Sequence, residues 1–389
     1  MSRPRGGRTK DGLLNTLTLA APTQRLDALT GLRWWAAFIV FLYHMLVFAP
    51  LPGPLTAVFA NGYFGVTFFF VLSGFVLTWS ARPQVSTSTF YWRRLARIYP
   101  SHFVALLLAI PIFYTLAPVP EGSFLKPFDP LVLSLSFFVI QGWWLAPAIL
   151  FSGNPAAWTL TCEFFFYFLH PFISRVLMLF ARRGALVIAL FVVVLAFSYR
   201  GFANAMPMEW WAHLPLPVVR VTEFALGMAI AWAIRSGWRL RISPVIGVGS
   251  MALVVGALSL VGQYGAPHPS LAVIPMFANE LFTVACALAI ISIAQRALDG
   301  KRSIFETPLQ VRLGEWSFAF YLVHASFIYL ALRIFGPQTP SWRNLVWFAA
   351  LLAVDLVAAW ALHSFVERPL EKRMRSWKDA RDRSRLARG

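Results

Sequence analysis

Charged side chains and cysteines are both scarce in this chain. Only 13% of its 389 residues are Asp, Glu, Lys or Arg, whereas 58% are hydrophobic and the mean hydropathy is +0.65. A water-soluble domain of this size needs more polar surface, so that class is excluded. The two cysteines, Cys162 and Cys286, lie in apolar runs, which argues against a disulfide framework and a zinc site. We therefore expect a polytopic helical membrane protein.

A cleavable signal peptide is also missing. Residues 1–24 are basic and polar, without an apolar run or a cleavage site. We expect them to form a disordered cytoplasmic tail. A transmembrane domain at 25–370 and a second basic cytoplasmic tail at 371–389 complete the predicted organisation, and we find neither an internal repeat nor a second soluble domain.

Long apolar runs, in contrast, are abundant. Eleven segments are candidate membrane spans, at about Leu32–Pro50, Tyr63–Ser80, Ser101–Ala117, Leu131–Phe151, Trp158–Phe180, Ala185–Tyr199, Pro217–Ile234, Ser243–Gly262, Leu271–Gln295, Trp316–Phe335 and Leu345–Val366. Their composition predicts an all-α transmembrane bundle. Length and hydropathy alone do not decide which of them cross.

Basic residues decide which candidates cross. The chain has 34 Lys and Arg against 16 acidic residues, and most of the basic ones fall in the two tails and in Arg82–Arg97, Arg182–Arg183, Arg235–Arg241 and Arg296–Arg312. The positive-inside rule makes these regions cytoplasmic, so the charge reflects orientation and lipid contact, not nucleic-acid binding. Two regions on the same side of the membrane are separated by an even number of crossings. Three candidate spans lie between Arg97 and Arg182, so one of these three does not cross.

The segment Leu131–Phe151 is the weakest of these three candidates, because "QGWWLAP" interrupts it and Pro and Gly flank it. We predict that it is a re-entrant or interfacial element on the outer side. The remaining ten spans place both termini in the cytoplasm and the protein in the plasma membrane.

Two ionisable residues share one face of the first span, "LTGLRWWAAFIVFLYHM". Arg33 and His44 are eleven positions apart, which leaves them ~20° apart around the helix and roughly 16 Å apart along it. Arg33 is predicted at the cytoplasmic face, with His44 beyond the midplane. Glu163 and Glu223 are predicted at a depth similar to that of His44.

A further histidine, His324, is predicted near the middle of its own span. Ionisable groups at such depths are disfavoured by a few kcal/mol each and usually face a polar interior, so their convergence on one layer predicts a buried cavity. The alternative is that such residues pair with one another and hold the helices together. For Asp355 or His363 taken singly, this structural interpretation is at least as well supported as a role in a functional cavity.

Several blocks resemble the acyltransferase-3 family of integral membrane O-acyltransferases, over about 25–369. "RLDALTGLRWWAAFIVFLYH" is similar to the family's opening motif, an Arg and a His with ten residues between them. "FGVTFFFVLSGFVLT" resembles its second-span signature around Ser73. "RRLARIYP" resembles its cytoplasmic paired-arginine motif, with Arg94 and Arg97 in place. "WTLTCEFFFYFLHP" resembles its Trp–Ser–Leu–x–x–Glu segment, with Thr159 replacing the usual Ser.

Three later stretches, "RVTEFALGMAIAW", "SFAFYLVH" and "FVERPLEKR", resemble further family blocks in the same order. The resemblance implies transfer of an acyl group from acyl-CoA, the donor substrate, to a hydroxyl group, with no permanently bound cofactor. His44 then becomes the predicted general base, or a transient acyl carrier. Glu163 is expected to orient its ring, with Glu223 as the second candidate.

The cytoplasmic face needs cations for the phosphates of the coenzyme. Arg33, Arg94 and Arg97 are expected to bind them, because a guanidinium matches phosphate oxygens in a bidentate way. The small residues Ser73, Gly65 and Gly74 are expected to leave room for the pantetheine arm against the facing helix. Arg93 is interpreted as an ordinary positive-inside charge.

The acceptor is less visible in the sequence. A compact chain without an extra extracytoplasmic domain resembles the macrolide O-acyltransferases, and the alternative is an exopolysaccharide or cell-envelope glycan O-acetyltransferase. The aromatic rings of "QGWWLAP" are expected to stack on a sugar or macrolide ring as the acceptor enters. A proton-coupled secondary transporter also has buried His and Glu residues. That class is disfavoured, because the chain has no duplicated half.

Overall fold

The computed structural model describes residues 24–82, 85–119, 123–265 and 268–386, and the predicted N-terminal tail lies outside them except for its last residue. Eleven long helices make up most of these residues: α1 (Asp27–Phe48), α2 (Gly65–Trp79), α3 (Thr87–Phe113), α4 (Trp158–Met178), α5 (Arg182–Ala205), α6 (Leu216–Arg235), α7 (Pro244–Tyr264), α8 (Ala278–Leu298), α9 (Pro308–Phe335), α10 (Leu345–Ala361) and α11 (Arg368–Leu386). A π-helical turn, Leu362–Glu367, joins α10 to α11.

Short elements connect the long helices. Four are short α-helices, at Pro54–Phe59, Pro130–Phe137, Pro147–Leu150 and Val273–Met276. Others are 3₁₀ turns, at Gly62–Phe64, Gln141–Trp143, Pro155–Ala157, Trp210–His213, Pro269–Ala272, Ile304–Glu306 and Trp342–Asn344. Two short strands, β1 (Tyr114–Thr115) and β2 (Lys126–Pro127), pair in parallel.

Nine helical regions of the described chain are long and apolar enough to cross a membrane. The region that contains α2 includes the short helix before it, and the last region runs from the turn before α10 into α11. Helix α4 is the tenth candidate. It has 21 residues and packs against α2, α3 and α6, although its Thr, Glu, Tyr and His side chains make it less apolar. The predicted all-α polytopic bundle is confirmed.

The segment Leu131–Phe151 does not form a spanning helix. Its longest helix, Pro130–Phe137, has 8 residues, and Val139 just beyond it has a positive φ of 59°. Eight helical residues extend about 12 Å, which is less than half of the ~30 Å hydrocarbon core of a bilayer. The broken structure agrees with the prediction of a segment that does not cross.

Glycines on α2 allow neighbouring helices to approach closely. A Cβ atom on Gly74 would lie 2.0 Å from the carbonyl oxygen of Phe224 on α6, and one on Gly65 would lie 2.4 Å from that of Ala36 on α1. The helix backbones therefore fill the space beside these glycines. The expectation that Gly65 and Gly74 leave room for a pantetheine arm is wrong.

Helices α1 and α9 run side by side in the same direction. Near their starts, a Cβ atom on Gly314 would lie 1.9 Å from the carbonyl oxygen of Thr30. Beyond their ends, the backbone N–H of Gln338 donates a hydrogen bond of 2.8 Å to the carbonyl of Phe48. These two contacts hold the middle of α1 level with the middle of α9.

The predicted C-terminal tail, 371–389, is helical throughout its described part, and its helix α11 packs against α3. Arg93 on α3 forms an ion pair of 3.2 Å with Asp379, so it is more than an ordinary positive-inside charge. The indole Nε1 of Trp92 donates a hydrogen bond of 2.7 Å to the carbonyl of Met374. The basic C-terminal segment is therefore part of the folded protein.

The orientation of the bundle stays a prediction, which single cysteines can test. Met208, 93% exposed between α5 and α6, is expected outside, and the exposed Lys301 between α8 and α9 is expected inside. In Met208→Cys, an impermeant thiol reagent should label intact cells. In Lys301→Cys, labelling should require permeabilisation. Both native cysteines are buried, so the background should be low. The reverse pattern would contradict the predicted topology.

Candidate active site

Two histidines from different helices meet inside the bundle. Nδ1 of His44 on α1 lies 3.2 Å from Nε2 of His324 on α9, and the ring centroids are 4.9 Å apart. His324 is completely buried and His44 is half-buried. Nδ1 of His324 also lies 2.7 Å from the carbonyl oxygen of Tyr321, and Nδ1 of His44 lies 2.9 Å from that of Val40.

These contacts determine which ring nitrogens carry protons when both histidines are neutral. A carbonyl oxygen can only accept a hydrogen bond, so Nδ1 of His324 donates to Tyr321 and its Nε2 is left as an acceptor. The Nδ1 proton of His44 is then shared between Val40 and His324. Nε2 of His44 keeps a free lone pair, which is the form that a general base requires.

Glu163 lies in a different group of side chains. Its Oε2 accepts a hydrogen bond of 2.9 Å from the hydroxyl of Tyr167. Its charge also interacts with those of Arg33, Arg94 and Arg97. Glu163 therefore belongs to a cluster of cations and a phenol near the end of the bundle that carries α11.

The predicted contact between Glu163 and the ring of His44 is not made. The contacts of Nδ1 of His44 go to His324 and to the backbone of its own helix, which leaves no proton there for a carboxylate. The physical reason is the close pairing of α1 with α9, which brings a histidine to this position. His324 was predicted in the same polar layer, but not as the partner.

The three predicted phosphate-binding arginines differ in how they are neutralised. Arg97 forms ion pairs with Glu367 and with Glu371, the latter at 3.0 Å. Among the described residues, Arg33 and Arg94 have no carboxylate within 4.0 Å, and the buried Nε of Arg94 has no hydrogen-bond partner. Because a buried cation requires compensation, Arg33 and Arg94 can accept an anionic ligand, whereas Arg97 joins α3 to α11.

A cavity of about 610 Å³ lies between α3, α4 and α11. Its wall combines cationic and aromatic side chains with a few others: Arg94, Lys378, Arg381, Tyr91, Trp92, Phe164, Tyr167, Phe168, Trp377, Ser88 and Leu95. The hydroxyl of Ser73 on α2 lies beside that of Tyr167. Tyr167 also donates a hydrogen bond to Glu163, so the cavity adjoins the arginine cluster. The cavity likewise adjoins Ser73, which was predicted to contact the coenzyme.

Glu223 belongs to a polar network between α2, α6 and α8, although its Oε2 is buried without a hydrogen-bond partner. Nε of Arg220 lies 3.0 Å from Oε1 of Glu223, and the amide of Asn279 donates to the same oxygen at 2.8 Å. Arg220 also donates to Oδ1 of Asn279 at 2.8 Å and to the hydroxyl of Thr67 at 3.0 Å. The second candidate for the acidic partner of His44 therefore pairs helices.

Asp355 and His363 behave differently from each other. Nδ1 of His363 lies 3.2 Å from Oε1 of Glu367, four positions later in the same helical turn, so this contact does not join two helices. Asp355 is completely buried, and neither of its carboxylate oxygens has a hydrogen-bond partner among the described residues. Direct pairing between helices is therefore seen for neither residue in the described part of the chain.

Most of the cavity wall was not predicted from the sequence, including the part that α11 provides, Trp377, Lys378 and Arg381. They lie within four positions of one another on a helix, so Trp377 and Arg381 share one face. An aromatic residue set among basic ones on one helical face was the signal that could have indicated them. It was not used, because a polar segment after the last span was treated as a tail.

The comparisons with known proteins identify the class of this membrane protein, which is an acyltransferase. The chain belongs to the acyltransferase-3 family, because residues 26–364 match that family's acyltransferase domain. No solved structure matches the chain.

Three relatives illustrate the range of this similarity. The chain is 38% identical over 373 residues to acyltransferase MdmB from Streptomyces mycarofaciens, covering 89% of this chain and 91% of that protein. It is 28% identical over 335 residues to the exopolysaccharide production protein ExoZ from Rhizobium meliloti (strain 1021), covering 82% and 92%. It is 24% identical over 385 residues to the peptidoglycan O-acetyltransferase OatA from Listeria monocytogenes, covering 89% of this chain and 56% of that protein.

Removal of the Glu223 carboxylate should destabilise the fold. In Glu223→Ala, Arg220 would remain as a buried unpaired charge, which typically costs about 3–5 kcal/mol, so the unfolding temperature in detergent should fall. Glu223→Gln keeps an oxygen that accepts the hydrogen bond of Asn279, so its unfolding temperature should fall less than that of Glu223→Ala. The exposed Glu209→Ala is the matched control, measured by the same thermal unfolding assay. Wild-type stability with lost activity in both Glu223 variants would indicate a catalytic role instead.

Proposed function

We propose that this acyltransferase moves a short acyl group, such as acetyl, from acyl-CoA to a hydroxyl group of a macrolide-type acceptor. The observation that carries the proposal is the His44–His324 contact, which leaves Nε2 of His44 free to accept a proton. Similarity to acyltransferase MdmB over nearly the whole chain supports acyl transfer, and the macrolide acceptor is part of the proposal. The names of ExoZ and OatA support a glycan as the second candidate.

The cavity between α3, α4 and α11 supports acyl-CoA as the donor. Its volume of about 610 Å³ falls in the range of small-molecule sites. Arg94 and the cations of α11 offer donors to phosphate oxygens, and Arg33 lies deeper, near Glu163. Arg33 and His44 share one stripe of α1, roughly 16 Å apart along its axis, and this is the distance that the pantetheine arm has to span.

The proposed reaction uses one nitrogen in two proton transfers. Nε2 of His44 takes the proton of the acceptor hydroxyl while the hydroxyl oxygen attacks the thioester carbonyl carbon. The carbon–sulfur bond breaks, and the CoA thiolate receives the proton back from the imidazolium. Nε2 of His324 accepts the hydrogen bond from Nδ1 of His44 and stabilises the positive ring, as an acceptor does in other histidine-centred sites.

The same geometry is compatible with covalent catalysis. Nε2 of His44 can itself attack the thioester carbonyl carbon, which breaks the carbon–sulfur bond, releases the CoA thiolate and leaves an Nε2-acyl-imidazolium that keeps its Nδ1 proton; the proton of the acceptor hydroxyl later passes to the thiolate. An acceptor hydroxyl then takes the acyl group. Isolation of acylated protein in the absence of acceptor would support this route, whereas release of CoA only in the presence of acceptor would support the general base.

We assign the acceptor to the aromatic turn between α3 and α4. Trp143 and Trp144 are 36% and 42% exposed, although the ring of Trp143 packs edge-on against Phe165 with centroids 5.2 Å apart. Indole faces held in this way offer flat apolar surface to a sugar or a macrocyclic ring. The expected stacking stays part of the proposal.

The proposal can be tested with the purified protein. It should be incubated in detergent with labelled acetyl-CoA, a panel of macrolides and a panel of oligosaccharides. We expect labelled macrolide and free CoA without any membrane gradient, which a transporter would not produce. Product on oligosaccharides alone would favour the glycan alternative, and the absence of product from every acceptor would contradict the acyl-CoA donor.

Substitution of the two histidines should have graded effects. His44→Ala should reduce kcat by about 10²–10⁴-fold, because a positioned general base contributes an amount of this order. His324→Ala should reduce kcat by about tenfold with little change in KM, because the carbonyl of Val40 still holds the Nδ1 proton of His44. The exposed His213→Ala is the control. Retention of more than a few per cent of activity in His44→Ala would refute its role.

Arg94 and Arg97 should respond differently to removal. Arg94→Ala should raise KM for acyl-CoA more than KM for the acceptor and leave the unfolding temperature unchanged, since Arg94 has no ion pair to lose. Arg97→Ala should lower the unfolding temperature, because Glu367 and Glu371 lose their partner. Equal increases of both KM values in Arg94→Ala would mean that Arg94 only supports the fold.

A further inference from the structure

We infer that helix α11 provides a subsite for the 3′-phosphate of the CoA nucleotide, built from Lys378, Arg381 and Trp377. This inference rests on the proposed acyl-CoA donor and assigns one part of that donor to one helix. The match to the family domain ends at residue 364, so the subsite lies on a segment that follows the matched region.

The first step in the argument is that α11 is fixed in place. Its carboxylates are turned towards α3: Asp379 pairs with Arg93 at 3.2 Å, and Asp382 accepts a hydrogen bond of 2.8 Å from Thr89. Trp92 donates to the backbone of α11 as well. A helix held by side chains along its length presents its remaining face in a defined position.

The second step concerns the charge of the face that lines the cavity. Lys378 and Arg381 both lie in the cavity wall, opposite Arg94 of α3. Lys378 pairs with Asp382 at 2.5 Å, whereas Arg381 forms no ion pair among the described residues. Lys378 thus has an ion-pair partner, whereas Arg381 and Arg94 have none among the described residues, which leaves a surplus of positive charge at the cavity. A phosphate monoester, which carries ≈ −1.5 to −2 at pH 7, satisfies it better than a singly charged diester.

The third step concerns the rings beside these cations. The guanidinium of Arg381 lies 5.4 Å from the ring centroid of Trp377, and Trp377 lies 5.1 Å from Trp92 with the rings tilted by 40°. Tyr91 also lines the cavity. Aromatic surface next to phosphate-binding cations matches a purine whose ribose carries a phosphate monoester. In CoA, the adenine and the 3′-phosphate have this arrangement.

A phosphate at the membrane surface can also belong to an anionic lipid headgroup, which shares this chemistry. The test therefore varies both sources. The full-length protein is placed in nanodiscs of phosphatidylcholine, with or without phosphatidylglycerol. KM is measured for acetyl-CoA and for 3′-dephospho-acetyl-CoA, for the wild type and for a Lys378→Ala/Arg381→Ala double variant. Arg383→Ala, an exposed arginine on the same helix, is the matched control.

For the wild type, we expect KM to be at least about tenfold lower for acetyl-CoA than for the dephospho donor, in both lipid mixtures, consistent with the loss of a charge-assisted contact. The double variant should raise KM for acetyl-CoA to the dephospho value, leave KM for the dephospho donor unchanged and keep the wild-type unfolding temperature. The control should match the wild type with both donors.

Four results would overturn the inference. Equal KM values for both donors in the wild type would exclude a 3′-phosphate subsite while leaving the acyl-CoA donor intact. Equal increases for both donors in the double variant would mean that these cations do not recognise the 3′-phosphate. A dependence on phosphatidylglycerol that the variant abolishes would assign them to the lipid. Transfer from neither donor would refute the proposed function together with the subsite.

Discussion

A polar or charged side chain inside a bilayer must find its partner within the protein, and the arrangement of this bundle depends on that constraint. Most of the buried polar groups meet it. Arg220 and Glu223 on α6 contact Asn279 on α8, and Arg97 is neutralised by carboxylates. Against this background, a group without a partner that also lines a cavity is informative. The buried Nε of Arg94 lacks a partner and lies in the wall of a cavity.

Close backbone contact brings the two histidines together. Gly314 lets α9 touch α1 near Thr30, and the two helices stay parallel from there to the opposite end of the bundle. His44 therefore receives its partner from a helix that lies 280 positions away in the sequence. The chemistry of the site and the packing of the fold thus depend on the same small residue.

Much of the fold could be predicted because a membrane span is a local property of the sequence. Hydropathy and the placement of basic residues indicated the ten-span bundle and the broken segment 131–151. Depth within a span was predicted well enough to place His44 and His324 in one layer. Glu163 was expected at the same depth, but its charge interacts with those of Arg33, Arg94 and Arg97 instead, because depth read from the ends of an apolar run does not include how neighbouring helices shift along one another. Helix α11 is too polar for a hydropathy signal, which explains why it was taken for a tail.

Helices α10 and α11 form one helical rod with the π-helical turn Leu362–Glu367 inside it, over Trp342–Ser384. Its 43 residues extend about 65 Å, roughly twice the hydrocarbon thickness of a bilayer. One continuous helical element therefore connects the membrane interior with the wall of the cavity between α3, α4 and α11. The turn also sets which side of α11 faces the cavity. Loss of one residue from it would turn Trp377 away from α3 by about 100°, without changing a single residue of the cavity.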